Sequence, residues 1–181
     1  MQILFLMADG FEETEFVTPF DYFQRAGFEV ALASVSGDSF VTGAHGLKIA
    51  ADFALSGADT AKFDAVLLPG GGPGVQRLKA SDDVERVVCD FNDKNKWIFA
   101  ICAAPLVLSK AGLLVDRTAT CFPGCEVELV CSKFVEDRVV VDGNIVTSRG
   151  AGTAEEFAFE CIAQLGGRDL SEKIRKQVVA R

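Results

Sequence analysis

The chain has 181 residues, of which 49% are apolar, and a formal net charge of −8. That length and hydrophobicity fit one folded domain, 1–181, with a buried core, and exclude a disordered chain. The acidic balance and the lack of a basic stripe exclude nucleic acid as a partner, because phosphate binding needs clustered Lys and Arg.

Gln2 to Met7 is a continuous apolar run, the pattern of a strand buried on both faces. The apolar stretch ends at Asp9 and is too short for a signal peptide or a membrane span, so no membrane partner and a cytoplasmic address are expected. Thr14 to Ala26 reads as a helix stopped by Gly27, with Pro19 in its first turns. Glu12 and Glu13 would complement the helix dipole and face water. Glu15, followed by Phe16 and Val17, would point toward the core, where burial raises a carboxyl pKa. Phe28 to Val35 is a second strand and Ala65 to Leu68 a third.

The third strand leads into Gly70-Gly71-Gly72-Pro73-Gly74. No Gly-Lys-Ser/Thr follows, and the third glycine of a dinucleotide fingerprint would fall on Val75, so both phosphate motifs fail. Read as a loop, these glycines let backbone N–H groups, those of Gly70 and Gly71 first, form an oxyanion hole with the N–H of Ala103. Ser81 caps a helix to about Asn95. Trp97 to Ile101 is a strand that runs directly into Cys102, then into Ala103, Ala104 and Pro105. This is the layout of a nucleophile elbow, with Ala100 and Ala104 in the places that glycine fills in the Gly-x-Ser-x-Gly version. The helix Pro105 to Lys110 directs its N-terminus at the sulfur and would lower the thiol pKa.

Arg138 to Thr147 reads as a hairpin turning at Asp142-Gly143. Thr153 opens a helix with Glu156 at the capping-box place, Gly166-Gly167 closes it, and Leu170 to Val179 is a last helix. Strands alternating with helices give an α/β fold with a mainly parallel sheet covered on both faces. Ligands of such sheets sit beyond the carboxyl ends of the strands. If the first, third and fourth strands are neighbours, Asp9 to Glu15, Gly70 to Gly74 and Cys102 to Ala104 meet at one site.

The six cysteines read as thiols of a reducing compartment. Cys89 and Cys161 are expected in the core, and Cys121, Cys125 and Cys131 partly exposed and oxidisable. The spacing of the last three matches no Cys-x-x-Cys pair, so no metal site is expected. The single histidine, His45, is remote in sequence from Cys102, which excludes a papain-like dyad. A glutamine-amidotransferase triad fails as well, for want of a histidine downstream.

Gly10-Phe11-Glu12-Glu13-Thr14-Glu15, Leu68-Pro69-Gly70-Gly71, Ala100 to Pro105 and Thr147 to Thr153 together resemble the ThiJ/PfpI superfamily, in its branch of the parkinsonism-associated protein DJ-one and bacterial relatives. The motifs occur in order over nearly the whole chain. The resemblance implies a flavodoxin-like three-layer sandwich and a homodimer. It implies a reactive Cys102 partnered by protonated Glu15, with backbone donors at Gly71 and Ala103. Phe122 stands where several relatives carry a histidine before the proline matching Pro123, which makes the pocket more apolar and leaves proton transfer to Glu15. His45 stands where close relatives carry an arginine that pairs across the dimer, with Asp21 as the matching partner.

The leading functional expectation is a cofactor-independent glyoxalase or deglycase acting on methylglyoxal or its protein adducts. The alternatives are a redox sensor that oxidises Cys102 and a holdase chaperone, which would need an exposed apolar patch.

Overall fold

The first apolar run forms β1 (Gln2–Met7), and its side chains divide between two cores. Ile3, Phe5 and Met7 join one apolar cluster, and Leu4, Leu6 and Ala8 the other. A computed structural model describes residues 1–180, arranged about a seven-stranded sheet.

In chain order, α1 (Glu13–Arg25) is followed by β2 (Glu29–Ser34), β3 (Phe40–Thr42), β4 (Lys48–Ala50), β5 (Phe53–Ala54) and β6 (Ala65–Leu68). Next come α2 (Gly72–Lys79), α3 (Asp82–Asp93), β7 (Trp97–Ile101), α4 (Pro105–Lys110), β8 (Thr118–Ala119) and β9 (Lys133–Phe134). The chain then forms β10 (Val139–Asp142), β11 (Ile145–Ser148), α5 (Ala154–Gly166) and α6 (Arg168–Gln177).

The sheet order is β10-β11-β7-β6-β1-β2-β5. All neighbours are parallel except the β10–β11 hairpin, which turns at Gly143-Asn144, one residue beyond the expected Asp142-Gly143, because Asp142 still pairs with Ile145. Helices α1, α5 and α6 cover one face and α2, α3 and α4 the other, which gives a three-layer sandwich. Taken in chain order, the principal parallel strands follow the flavodoxin-like order 2-1-3-4-5, with the switch point between β1 and β6. The exits of β1, β6 and β7 therefore lie side by side. No helix among the described residues is long and apolar enough to cross a membrane.

Several local expectations are corrected. Pro19 sits in the interior of α1, and its missing N–H leaves the Glu15 carbonyl without a helical donor. The glycine-rich stretch is not all loop, because Gly72 already begins α2. Pro73 fits its first turn, and Val75 and Leu78 give it a buried face. The capping box at Thr153 and Glu156 is not formed. Thr153 Oγ1 bonds to Ser148 Oγ at 2.7 Å, and Glu156 instead pairs with Arg138 at 2.8 Å. The short strands β3, β4, β5, β8 and β9 lack an alternating run long enough to register in the sequence.

Phe5 has no exposed surface and meets Phe16, Phe20 and Phe23 edge-on at ring-centroid distances of 5.3, 6.3 and 5.9 Å. Phe5→Ala is therefore expected to lower the unfolding free energy by about 3–5 kcal/mol, measured by urea denaturation.

Candidate active site

Cys102 leaves β7 in a left-handed backbone conformation, with φ of +66°. This non-glycine residue is held there from both sides. Its N–H donates to Ser148 O at 2.9 Å, and its carbonyl accepts from Phe122 N–H at 2.8 Å. The turn lifts the side chain off the strand, as an elbow requires, and leaves the residue 9% exposed.

Glu15 comes to the same place from the first turn of α1 and is buried. Glu12 Oε2 caps the helix by accepting the Glu15 N–H at 2.8 Å. The Glu15 carboxyl hydrogen-bonds with the Cys102 thiol and accepts backbone N–H groups from Gly70 and Ala151. The Gly70 bond measures 2.9 Å. The peptide unit before Gly70 is therefore committed to Glu15, and Gly70 is not the free oxyanion donor expected of it. The N–H groups of Gly71 and Ala103 are the ones that bond to the Cys102 sulfur.

Gly70 allows this crowding. A Cβ there would stand 2.5 Å from Cys102 Cβ and 3.0 Å from its Sγ. Gly71 has φ of +93° and caps α2, and a Cβ on it would collide with the Gly10–Glu12 backbone.

Burial, then the hydrogen bond from Cys102 and the charge of Glu12 acting in opposite directions, leave the Glu15 carboxyl raised to about 7. Burial first, then the charge and hydrogen bond of Glu15, push the Cys102 thiol up, against the pull of the Gly71 and Ala103 N–H groups. The N-terminus of α4 therefore does not lower the thiol pKa as expected. The two upward effects of Glu15 belong to its carboxylate form. They disappear when Glu15 holds the proton, so the charge gained near pH 7 is a property of the pair.

Phe122 stands at the mouth, half exposed, with its ring against Gly150, and Pro123 beside it is exposed. Asp21 and His45 do not meet within the chain. Asp21 pairs with Arg25 at 2.7 Å, and His45 Nδ1 lies 2.7 Å from Glu13 Oε2. Glu12 and Glu13 were expected to face water, but one caps α1 and the other clamps the β3–β4 turn through the His45 N–H at 2.6 Å.

All six cysteines are free thiols. Cys121 is fully buried rather than partly exposed, and burial, followed by the charges of Cys125 and Glu126, pushes its thiol up to about 12. Cys89 is half-buried rather than in the core. Among the described residues, the one set of three side chains able to converge on a metal ion is Glu12, Glu13 and His45, not the cysteine trio.

Two contributors escaped the residue-by-residue reading. The N–H of Ala151 binds Glu15, and Ser148 holds the elbow through its carbonyl. Both lie in the Thr147–Thr153 run, whose small and hydroxylated residues show no periodicity, only the family pattern.

A flavodoxin-like sandwich with a cysteine at a nucleophile elbow and a buried carboxyl against its sulfur defines a class of cysteine-centred α/β proteins. The chain belongs to the DJ-1/PfpI family, whose model matches residues 1–164. It is 38% identical over 182 residues to protein DJ-1 homolog B of Arabidopsis thaliana, covering 99% of this chain but 42% of that longer protein. It is 33% identical over 154 residues to a protein named a deglycase from Pyrococcus abyssi, covering 84% of this chain and 92% of that one. The solved structure of oxidized Toxoplasma gondii DJ-1 superposes with a TM-score of 0.94 at 33% identity, covering 99% of this chain and 98% of the other.

Between about pH 4.5 and about 7 the folded chain keeps a proton on Glu15 that the unfolded chain has lost, so stability falls as pH rises through that window. Glu15→Gln removes this slope. Across the window, the stability difference between variant and wild type is expected to move in the variant's favour by up to about 3 kcal/mol, read from urea midpoints against pH. An unchanged slope in the variant would assign it to another group.

Proposed function

We propose that this protein is a cofactor-independent glyoxalase- or deglycase-type enzyme acting on methylglyoxal or its protein adducts. The observation that carries this reading is the buried Glu15 carboxyl bonded to a cysteine sulfur that also receives two backbone N–H groups. With the proton on Glu15, the Cys102 thiolate has three donors, which suits it to attack a carbonyl carbon.

In this reading the sulfur adds to the aldehyde of methylglyoxal, and the alkoxide of the hemithioacetal is met by the N–H groups of Gly71 and Ala103. Glu15 protonates that oxygen, then removes the proton from the former aldehyde carbon to leave an enediolate; the hydroxyl proton passes from the first oxygen to the second, and Glu15 returns its proton to the neighbouring carbon. The aldehyde carbon is thereby oxidised to a thioester and the ketone carbon reduced to an alcohol, an internal exchange that needs no outside oxidant. Water cleaves the thioester to lactate and frees the thiol. The same reading includes a homodimer, in which Asp21 Oδ1 and His45 Nε2, both outside the contacts with Arg25 and Glu13, would pair across the interface.

Lactate formation from methylglyoxal, corrected for buffer-catalysed decay, tests the proposal. Cys102→Ser is expected to abolish it and Glu15→Gln to slow it by roughly 10²–10⁴-fold. For the wild type, kcat/KM should rise with pH through the pair's ionisation near about 7. Lactate formed equally fast by Cys102→Ser would overturn the reading.

The same donors favour a second reading, redox sensing, because they can bind the oxygens of an oxidised Cys102. Two equivalents of peroxide would convert the thiolate to a sulfinate and release two waters. Gain of two oxygens at Cys102 alone, with no turnover of methylglyoxal or glycated substrate, would select it.

A further inference from the structure

Phe122 is a large apolar side chain left 48% exposed beside a buried polar pair. Its position is fixed. Its N–H donates to Cys102 O at 2.8 Å, and its carbonyl accepts from Cys125 N–H at 3.0 Å. The ring lies over Gly150. A Cβ on Gly150 would stand 3.2 Å from Phe122 Cδ2 and 3.7 Å from Glu15 Oε1, so ring and carboxyl both border the position that a Gly150 side chain would take. Gly150 itself places no side chain between them.

A phenyl ring here can neither donate nor accept a proton. It offers an apolar face beside the reacting carboxyl, open to whatever substituent the carbonyl substrate carries. A methyl group, as in methylglyoxal, covers little of such a face. A flat aromatic substituent covers much more and gains the offset or edge-on ring contact that aromatic pairs favour.

We infer that Phe122 forms an aromatic subsite that directs the Cys102–Glu15 pair toward carbonyl compounds with aryl substituents in preference to methylglyoxal. The inference rests on the catalytic reading for turnover but not for binding, and the two can be tested apart. Truncating the ring should cost an aryl ligand about tenfold relative to a methyl one.

The first readout is the ratio of kcat/KM for phenylglyoxal to that for methylglyoxal, in assays short enough to avoid arginine modification. It should fall about tenfold in Phe122→Ala and be largely kept in Phe122→Trp. The second needs no turnover. Second-order rates of Cys102 alkylation by N-phenylmaleimide and N-methylmaleimide are measured at fixed pH, with the site mapped by peptide mass spectrometry. The aryl-to-methyl ratio in the wild type should exceed that of glutathione, and Phe122→Ala should bring it down to the glutathione value.

If neither dicarbonyl turns over but the maleimide ratio depends on Phe122, the subsite stands and the catalytic reading fails. If both dicarbonyls turn over and both ratios are indifferent to Phe122→Ala, the catalytic reading stands and the subsite is refuted.

Discussion

A carboxyl group buried against a sulfur is the constraint around which the carboxyl end of this sheet is arranged. An isolated buried carboxylate is costly enough that it either takes up a proton or gathers donors, and Glu15 does both. Its partners come from separate strand exits. Glu15 follows β1, Gly70 follows β6, Cys102 follows β7 and Ala151 follows β11. Those strands are contiguous in the sheet, so the order β11-β7-β6-β1 is what lets one side chain collect all three partners. A strand order that separated β1 from β6 would leave the carboxyl buried without them.

The packing that makes this approach possible is a matter of backbone. Gly70 is gripped by α1 in two directions, donating to Glu15 Oε2 at 2.9 Å and accepting from Glu12 N–H at 3.0 Å. A peptide held that closely leaves no volume for a side chain. The left-handed turn at Cys102 costs roughly 1–2 kcal/mol by itself, and the two backbone bonds to Ser148 and Phe122 offset it. The elbow is thus stabilised by the segments it brings together, not by its own conformational preference.

Much of this was legible in the sequence. The apolar run of β1 announced a strand buried on both faces and that of β7 a strand feeding the elbow, and their exits carried residues that converge. Glu15 was separable from Glu12 and Glu13 because apolar residues follow it. The sequence was silent where geometry is made by backbone or by partners distant in the chain. Gly70 read as an oxyanion donor because its type permits it, and nothing local shows that Glu15 takes its N–H. Helix α2 was hidden because Gly-Pro-Gly favours a loop, until Val75 and Leu78 find a core to bury against. The thiol pKa was misjudged because the helix N-terminus is visible in sequence, whereas burial and the facing carboxylate are not.

With no histidine to take up and release protons near Cys102, the proposed chemistry has to run on a single proton and a single negative charge. Thiolate with carboxylic acid, alkoxide with carboxylic acid, and hydroxyl with carboxylate all carry the same net charge of the pair. Each step then moves charge between sites already lined with donors and brings no new charge into the buried site. Charge that shifts over a short distance among fixed N–H groups needs little reorganisation, which is where preorganised sites gain most. A phenyl ring at the mouth works in the same direction. It brings no charge or hydrogen-bonding group to Glu15, whose proton is held by burial. A phenylalanine rather than a proton carrier at position 122 leaves the pair dependent on burial and on its own donors.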